Sequence, residues 1–520
     1  MRSWKHYSWW LICLLMIPYQ VGAIARNETL EWFQNDSKIP SLLQYPDVVN
    51  QIYQNNDRDL IWTDIEPINK LEFQLELIQQ AGFSPLFNRQ LSYLKYYRAA
   101  NSWFEFDVLA TDTLLLYMSY AELAPQIGYN WFFRTKLNQP IQPPSNEMVM
   151  ALESAIESKR LSGFIDIFAP ASPGYQQLLD TYRSLGQYAD VNVPRYQQVG
   201  LKRVGDSISD RDVLLQRLQL VNVDVSRVRT DVAWYDDTLE TAIKTFQRIH
   251  GLNQDGVIGP ATVRWLNVAP SQRVAMLALN IERSRLWPMQ HDTLILVNVP
   301  GYQIRYWYLG NEVFESKVVV GRVSRKTPVM KTSLNALILN PTWNVPRKIM
   351  VEDILPQVKK DATYLEKHQM QILETWDSDA VISPEAIDWT TVNPRAFPYR
   401  LRQQSGAQNA LGLYKFNTPN KRAIYLHDTP SKSLFNKEQR AFSSGCIRVQ
   451  NADEFAALLL RTQGLDEMKI AQYNERTNKS IPLRQRIPVH IIYQTVWYES
   501  GQVHYRDDIY RYDGLTTKSG

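Results

Sequence analysis

The chain has 520 residues, 44% hydrophobic and 21% charged, a balance that suits about three folded domains and excludes a disordered or collagen-like protein. Its 57 Lys and Arg against 53 Asp and Glu leave a net charge of +4, too small and too dispersed for a dedicated nucleic-acid binder. Two cysteines, Cys13 and Cys446, exclude a cysteine-built zinc site and a disulfide framework, and no H-E-x-x-H or comparable cluster occurs, so no metal or cofactor is expected.

Residues 1–23 join Arg2 and Lys5 to the apolar run from Trp9 to Ile17 and the small residues Gly22 and Ala23, the pattern of a secretory signal cut after about Ala23. Nine apolar residues fall short of the ~20 that span a bilayer, so contact with a membrane is expected only through this segment. Cleavage removes Cys13 and leaves one thiol, Cys446, in a compartment that oxidises thiols. Such a cysteine is either an inert buried residue or a reactive nucleophile.

Residues 24–205 read as a helical scaffold. Leu71, Leu75 and Ile78 recur at helical spacing, and Asp107 to Ala124 and Ser145 to Leu161 read as further amphipathic helices. A small module, residues 206–269, follows with helices predicted at Asp212 to Leu220, at Thr238 to His250 and from Ala261. Its loop from Gly251 to Pro260 carries Asp255-Gly256 and Gly259-Pro260, which suit a tight turn and a helix start. Asp255 lacks the acidic series of a calcium loop. A helix-like stretch from Ser271 to Leu286 comes next, and residues 270–288 are expected to complete the scaffold.

The periodicity then changes to that of strands, at Leu294 to Val299, Gln303 to Tyr308 and Val313 to Val320, joined by hairpin turns at Pro300-Gly301 and Gly310-Asn311. Further strands are predicted at Ala336 to Leu339, Gly412 to Phe416 and Ala423 to His427. This β-rich part covers residues 290–495 and is interrupted by an insertion at about 347–410, helical at Val351 to Lys367, which is expected to cap a site. Residues 496–520 form a C-terminal segment.

Cys446 lies in Ser443-Ser444-Gly445-Cys446-Ile447-Arg448-Val449, ahead of a predicted helix from Ala452 to Arg461. The positive end of that helix and Arg448 both favour thiolate. Gly445 admits close approach of backbone to a ligand, and N–H groups at this turn are suited to an oxyanion. A thiol also needs a base. Of the histidines, His427 ends an apolar strand and precedes Cys446 by 19 residues, enough for a loop that folds back. On the residues alone it is either that base or a satisfied structural histidine.

Two resemblances bear on these alternatives. Ala242 to Gln247, with Phe246-Gln247, then Gly251-Leu252, Asp255 to Pro260 and Thr262, resemble the peptidoglycan-binding domain. His427-Asp428-Thr429 and Ser444-Gly445-Cys446-Ile447-Arg448-Val449 with Asn451 resemble the signature of the L,D-transpeptidase catalytic domain, H-G-T followed by S-H-G-C-I-R-x-x-N. Val320-Gly321, Thr327-Pro328 and Asn340-Pro341 through Trp343 to Val345-Pro346 match further landmarks of that family. The whole is similar to the large periplasmic enzymes of Gram-negative bacteria.

The resemblance implies a multidomain α+β protein: a mainly β, YkuD-like sandwich with a cap insertion, a three-helix peptidoglycan-binding domain and a helical scaffold. It implies a periplasmic, carbapenem-sensitive enzyme in which Cys446 attacks the diamino acid–D-Ala bond of a tetrapeptide stem, His427 is base and proton donor, and Gly445 lies at the oxyanion site. Tyr425, Ser443, Ser444, Arg448 and Asn451 are the implied substrate contacts. For Ser443 and Ser444 a helix-capping role, and for Arg448 a structural ion pair or a helix-start contact, are the alternatives. Transfer to a neighbouring stem gives a 3→3 cross-link, and glycan-synthesising and D,D-carboxypeptidase enzymes are the implied partners. An L,D-carboxypeptidase, a protein-to-wall ligase and a non-catalytic wall-binding protein are the other readings. Two departures stand out: Ser444 replaces the family's second histidine, and Asp428 its glycine. The partner that orients His427 stays open between a backbone carbonyl and a side chain.

Overall fold

A computed structural model describes residues 41–514 except 173, 288–291, 378–379, 467, 469 and 471–475. The expected signal segment lies outside the described residues, as does His291. Among the described residues no helix is long and apolar enough to cross a membrane.

The chain divides into two units, and among the described residues the smaller takes 41–76, 85–123 and 137–169. Its helices are α1 (Pro46–Asn55), α2 (Ile65–Ala81), α3 (Pro85–Ala99), α4 (Trp103–Phe133), α5 (Asn146–Glu157) and α6 (Leu161–Asp166), of which α2 and α4 run on into the larger unit. Residues 106–120 of α4 are all buried, so this is a central helix and not the one-sided amphipathic helix that the sequence suggests. Two aspartates inside it serve as acceptors for loop amides. Asp107 accepts from the N–H of Ile61 at 3.0 Å and of Trp62 at 2.7 Å, and Asp112 from those of Gln44 and Tyr45, each at 2.8 Å. Burial pushes the Asp112 carboxyl up to about 7.

In the larger unit, α7 (Tyr175–Gly186) precedes the three-helix module of α8 (Arg211–Gln219), α9 (Asp237–Ile249) and α10 (Pro260–Leu266). Asp236 caps α9, accepting from the N–H of Thr238 at 2.8 Å. Gln247 pins the following loop by donating to Asp255 Oδ1 at 2.9 Å and accepting from the Gly256 N–H at 2.9 Å. Asp255 is thus a turn residue. Helix α11 (Pro270–Arg283) packs on α7, and both lie in the larger unit. The last segment of the smaller unit ends at Ala169.

The strands are β1 (Leu294–Asn298), β2 (Gln303–Tyr308), β3 (Asn311–Gly321), β4 (Met330–Leu339), β5 (Trp343–Asn344), β6 (Met370–Leu373), β7 (Val381–Ile382), β8 (Arg400–Gln403), β9 (Tyr414–Asn417), β10 (Leu426–His427), β11 (Ala441–Ser443), β12 (Ile447–Val449), β13 (Lys479–Ile492), β14 (Val496–Glu499) and β15 (Gln502–Tyr505). The main sheet has the order β11-β3-β12-β10-β9-β4-β13-β1-β2, and β2 also pairs with β3, so the two leaves of the predicted sandwich are joined. Inward residues such as Ile295, Val318, Leu337, Phe416 and Ile447 meet Phe455 of the closing helix, α12 (Ala452–Thr462). The Phe455 ring lies 4.8 Å from Phe314 and 4.7 Å from Phe416.

Strand β13 escapes the sequence pattern because Pro482 and Pro488 interrupt it; the ladder to β4 slips between Pro482 and Ile487. The insertion forms its own sheet, β5-β8-β6-β7, with its own core of Met350, Leu355, Leu365, Ile372, Phe397 and Leu401. The predicted helix from Val351 to Lys367 is broken into a π-turn at Met350–Ile354 and short helices at Leu355–Val358 and Tyr364–Lys367. Pro356 has no N–H for an i→i−4 bond, which explains the break.

Candidate active site

Three short strands set the side chains. Strand β10 pairs in parallel with β12, Leu426 opposite Ile447 and His427 opposite Arg448, and antiparallel with β9, His427 opposite Lys415. Side chains alternate along a strand, so with Leu426, Ile447 and Phe416 turned to the core, Tyr425, His427, Cys446, Arg448 and Lys415 share the other face. Tyr425, His427, Cys446 and Arg448 line a cavity of about 540 Å³ whose far wall is the insertion, through Ile349, Tyr364, His368 and Met370, with Trp343. The insertion thus covers this face.

Cys446 immediately precedes strand β12, and α12 begins only at Ala452, so the helix dipole does not act on its thiol as the sequence suggested. The loop before it is tightly bonded. Ser443 Oγ donates to the Cys446 carbonyl at 2.6 Å and accepts from the Gly445 N–H at 3.1 Å. That N–H is therefore spent inside the loop, which leaves the Cys446 amide as the backbone donor beside Sγ. Gly445 has φ +119°, a conformation other residues avoid. Its carbonyl accepts from Thr327 Oγ1 at 2.8 Å, and the Thr327 N–H donates to the Tyr510 hydroxyl at 3.0 Å, which donates to the Gly321 carbonyl at 2.5 Å.

Gly321 makes this cradle possible. A Cβ on it would sit 2.6 Å from Thr327 N and closer still to the Arg325 carbonyl. Gly321→Ala is expected to destabilise the larger unit by about 2 kcal/mol or more, read by chemical denaturation, because the obstructing atoms are backbone.

Neither Ser443 nor Ser444 caps α12. Ser444 is exposed at the rim, where its Oγ accepts from Arg325 Nη1 at 2.9 Å. Arg325 also pairs with Glu352 at 2.5 Å and with Asp353, so the π-turn of the insertion is ion-paired to the Cys446 loop. Asn451 stands apart from the others. It is the residue before α12, donates to Glu454 Oε2 at 3.3 Å and lines a different cavity.

His427 is buried, and its Nδ1 hydrogen-bonds the Asp428 carbonyl at 2.5 Å, which answers the orientation question in favour of backbone. The Asp428 carboxylate turns away to accept from the Leu413 N–H at 3.0 Å and to pair with Lys432. Gly412, at φ +61°, leaves room for it, since a Cβ there would lie 2.5 Å from Asp428 Cγ. Burial, reinforced by Arg448 and Lys415, pushes the His427 imidazole down to about 3. Burial pushes the Cys446 thiol up, opposed by a hydrogen bond from Tyr425 and by the charges of Lys415 and Arg448. The resting pair is a neutral thiol beside a neutral imidazole.

Lys415 is the residue that motif reading missed. Its Nζ lies 4.4 Å from the Tyr425 ring centre, and burial lowers its own pKa. A polar residue between two inward aromatics in Tyr414-Lys415-Phe416 was the available signal. Arg448 has a buried Nε without a hydrogen-bond partner, and among the described residues it forms no ion pair, so the structural-pair alternative fails. Burial holds the Tyr425 phenol far above its usual pKa, and its hydroxyl bonds with Trp343 and Cys446. Tyr425→Phe is expected to slow acylation of Cys446 by about 10²-fold with little change in stability, as loss of one such donor does; stopped-flow measurement with a β-lactam reads it. Among the described residues no group of three or more His, Cys, Asp or Glu is placed to hold a metal ion.

Comparison with known proteins matches three segments of the chain to known families. A family model described as the L,D-transpeptidase catalytic domain matches residues 292–477, a scaffold-domain model residues 47–181 and a peptidoglycan-binding-domain model residues 210–266. A Haemophilus influenzae protein with a provisional L,D-transpeptidase name is 30% identical over 472 residues, which cover 91% of this chain and 79% of that one. Among solved structures, the L,D-transpeptidase of Stackebrandtia nassauensis is 12% identical, with 59% of this chain and 99% of that one covered and a TM-score of 0.23. For that of Mycobacterium smegmatis the figures are 10%, 39%, 58% and 0.19, so this chain spans less than two thirds of it. Through its catalytic-domain match and its relative along nearly the whole length, the chain belongs to the L,D-transpeptidase family.

Proposed function

We propose that the protein is an exported, periplasmic cysteine L,D-transpeptidase that forms 3→3 cross-links in peptidoglycan. The observation that carries this reading is the meeting of Cys446, His427, Tyr425 and Arg448 in one cavity under the insertion. His427 takes the thiol proton as Cys446 Sγ attacks the carbonyl between the diamino acid and D-Ala of a donor stem. The Cys446 amide and the Tyr425 hydroxyl stabilise the oxyanion, a proton returns from His427 to the departing D-Ala amine, and a thioester remains. The side-chain amine of a neighbouring stem then attacks the thioester and gives up a proton to His427. The amide bond forms, and the thiol is restored.

Arg448 gives the cavity a positive charge, with Lys415 behind it against the Tyr425 ring, which suits a stem carboxylate. Ser443 and Gly445 hold the loop, and Ser444 borders the donor path. Residues 1–23 direct export. The three-helix module docks on the wall, which brings the glycan-synthesising and D,D-carboxypeptidase enzymes within reach as partners.

Incubation with disaccharide tetrapeptide is expected to yield 3→3 dimers. Tripeptide monomer as the sole product would replace this reading with an L,D-carboxypeptidase. A dimer-free product bearing a protein amine would point instead to a ligase. A non-catalytic wall-binding protein would release no D-Ala.

A further inference from the structure

The larger unit holds a second cavity, of about 740 Å³, that shares no lining residue with the one at Cys446. The three-helix module supplies Arg248, strand β3 Lys317, the stretch before β11 Lys437 and Arg440, and the C-terminal segment His504 and Arg506. The module and the segment are firmly joined here: Arg506 Nη1 donates to the Ile249 carbonyl at 2.9 Å, and a Cβ on Gly251 would lie 2.5 Å from Arg506 Nε.

The lining carries more positive than negative side chains: of its three glutamates, Glu315 and Glu499 pair with Arg305, and Glu438 accepts from the Asn253 N–H at 2.7 Å. Among the described residues Arg248, Lys317, Lys437, Arg440 and Arg506 form no ion pair, and the three arginines donate to neutral acceptors. Arg248 meets the Gln502 side chain, Arg440 the carbonyls of Lys437 at 2.8 Å, Tyr302 at 3.2 Å and Val318 at 3.3 Å, and Arg506 those of Ile249 and Tyr505. Carbonyls fix the guanidinium groups without cancelling their charge, so the site is preorganised for an anion. A second observation narrows the ligand. His504 is buried and lines the cavity, yet neither of its ring nitrogens has a hydrogen-bond partner. Burial beside Arg506, Arg248 and Arg305 holds it neutral, with a pKa of about 3, so it offers one donor and one acceptor. A ligand that joins a carboxylate to amide groups can satisfy these groups together.

We propose that this cavity binds a carboxylate-bearing stem peptide of peptidoglycan, a second stem besides the one at Cys446, and so anchors the polymer between the three-helix module and the catalytic sheet. The proposal rests on peptidoglycan being the substrate. A stem fits because it carries free carboxylates on its glutamate and diamino acid among backbone amides.

The test uses the full chain after acylation of Cys446 by a carbapenem, which fills the first cavity. Calorimetric titration with disaccharide tetrapeptide is expected to show binding, weakened at least about tenfold when the peptide carboxylates are amidated and likewise in Arg440→Gln. The exposed pair Lys317→Gln with Lys437→Gln, which keeps the buried arginines, is expected to lower affinity in the same direction and serves if Arg440→Gln does not fold. Equal binding of the free and amidated peptides, or tight binding that survives in the lysine pair at every salt concentration, would overturn the proposal. The carbapenem adduct reports separately on Cys446: its absence would strike the catalytic reading alone, and titration of Arg448→Ala protein would then measure the second cavity.

Discussion

Protein carrying Cys446→Ala is expected to give no mass shift with a carbapenem and no product from disaccharide tetrapeptide, a loss of about 10⁴-fold or more. The loss is chemical, because the side chain contributes little to the fold. Cys446 is half-buried, and its Sγ has the Ala423 carbonyl at 3.6 Å and hydrogen-bonds with Tyr425. The loop geometry rests on Ser443, Thr327 and Tyr510, none of which bonds to sulfur. An unchanged denaturation profile with no adduct is therefore the expected pair of results. An adduct that persists in the variant would remove Cys446 as the nucleophile.

The second large effect concerns His427. His427→Ala is expected to slow acylation by about 10³-fold, within the range for loss of a general base. The pH profile of the native protein separates this role from a structural one. An ordinary histidine protonates near 6.5, so a base of that kind loses activity as pH falls through 6.5. In the folded protein the imidazole is held down to about 3, and the raised thiol stays protonated at neutral pH. Acylation is therefore expected to be flat from about pH 5 to 8, with its acid limb displaced far below 6.5. Rapid-quench mass spectrometry at constant ionic strength reads it. An acid limb centred at 6.5 would mean that the base titrates as if exposed, contrary to its burial.

Much of the fold was legible because local rules govern it. Helix α9 shows apolar residues at helical spacing behind an Asp236 cap, and the hairpins β1–β2 and β2–β3 carry their turn residues in the sequence. Strand β13 was not legible, since two prolines break its alternation while its partners β1 and β4 hold it in the sheet. The buried helix α4 reads as amphipathic only until packing on all sides is known. The packing of α11 against α7 joins residues about a hundred positions apart, which local rules do not reach.

At the site the division is sharper. The sequence by itself determined the nucleophile and base candidates, Cys446 and His427, because an unusual thiol, a strand-end histidine and a family spacing are all written in one dimension. It also determined the three-part organisation, which rests on periodicity and turn chemistry. Only the tertiary structure decided the surroundings: Lys415 joins the site through cross-strand register, Asn451 leaves it for another cavity, and Asp428 orients His427 by its carbonyl and not its carboxylate. It also removed the helix end expected beside Cys446 and added to Arg448 a second cation, Lys415 from another strand. The physical reason is that charge and burial act through space, whereas the chain order records only which residues are present to be brought together.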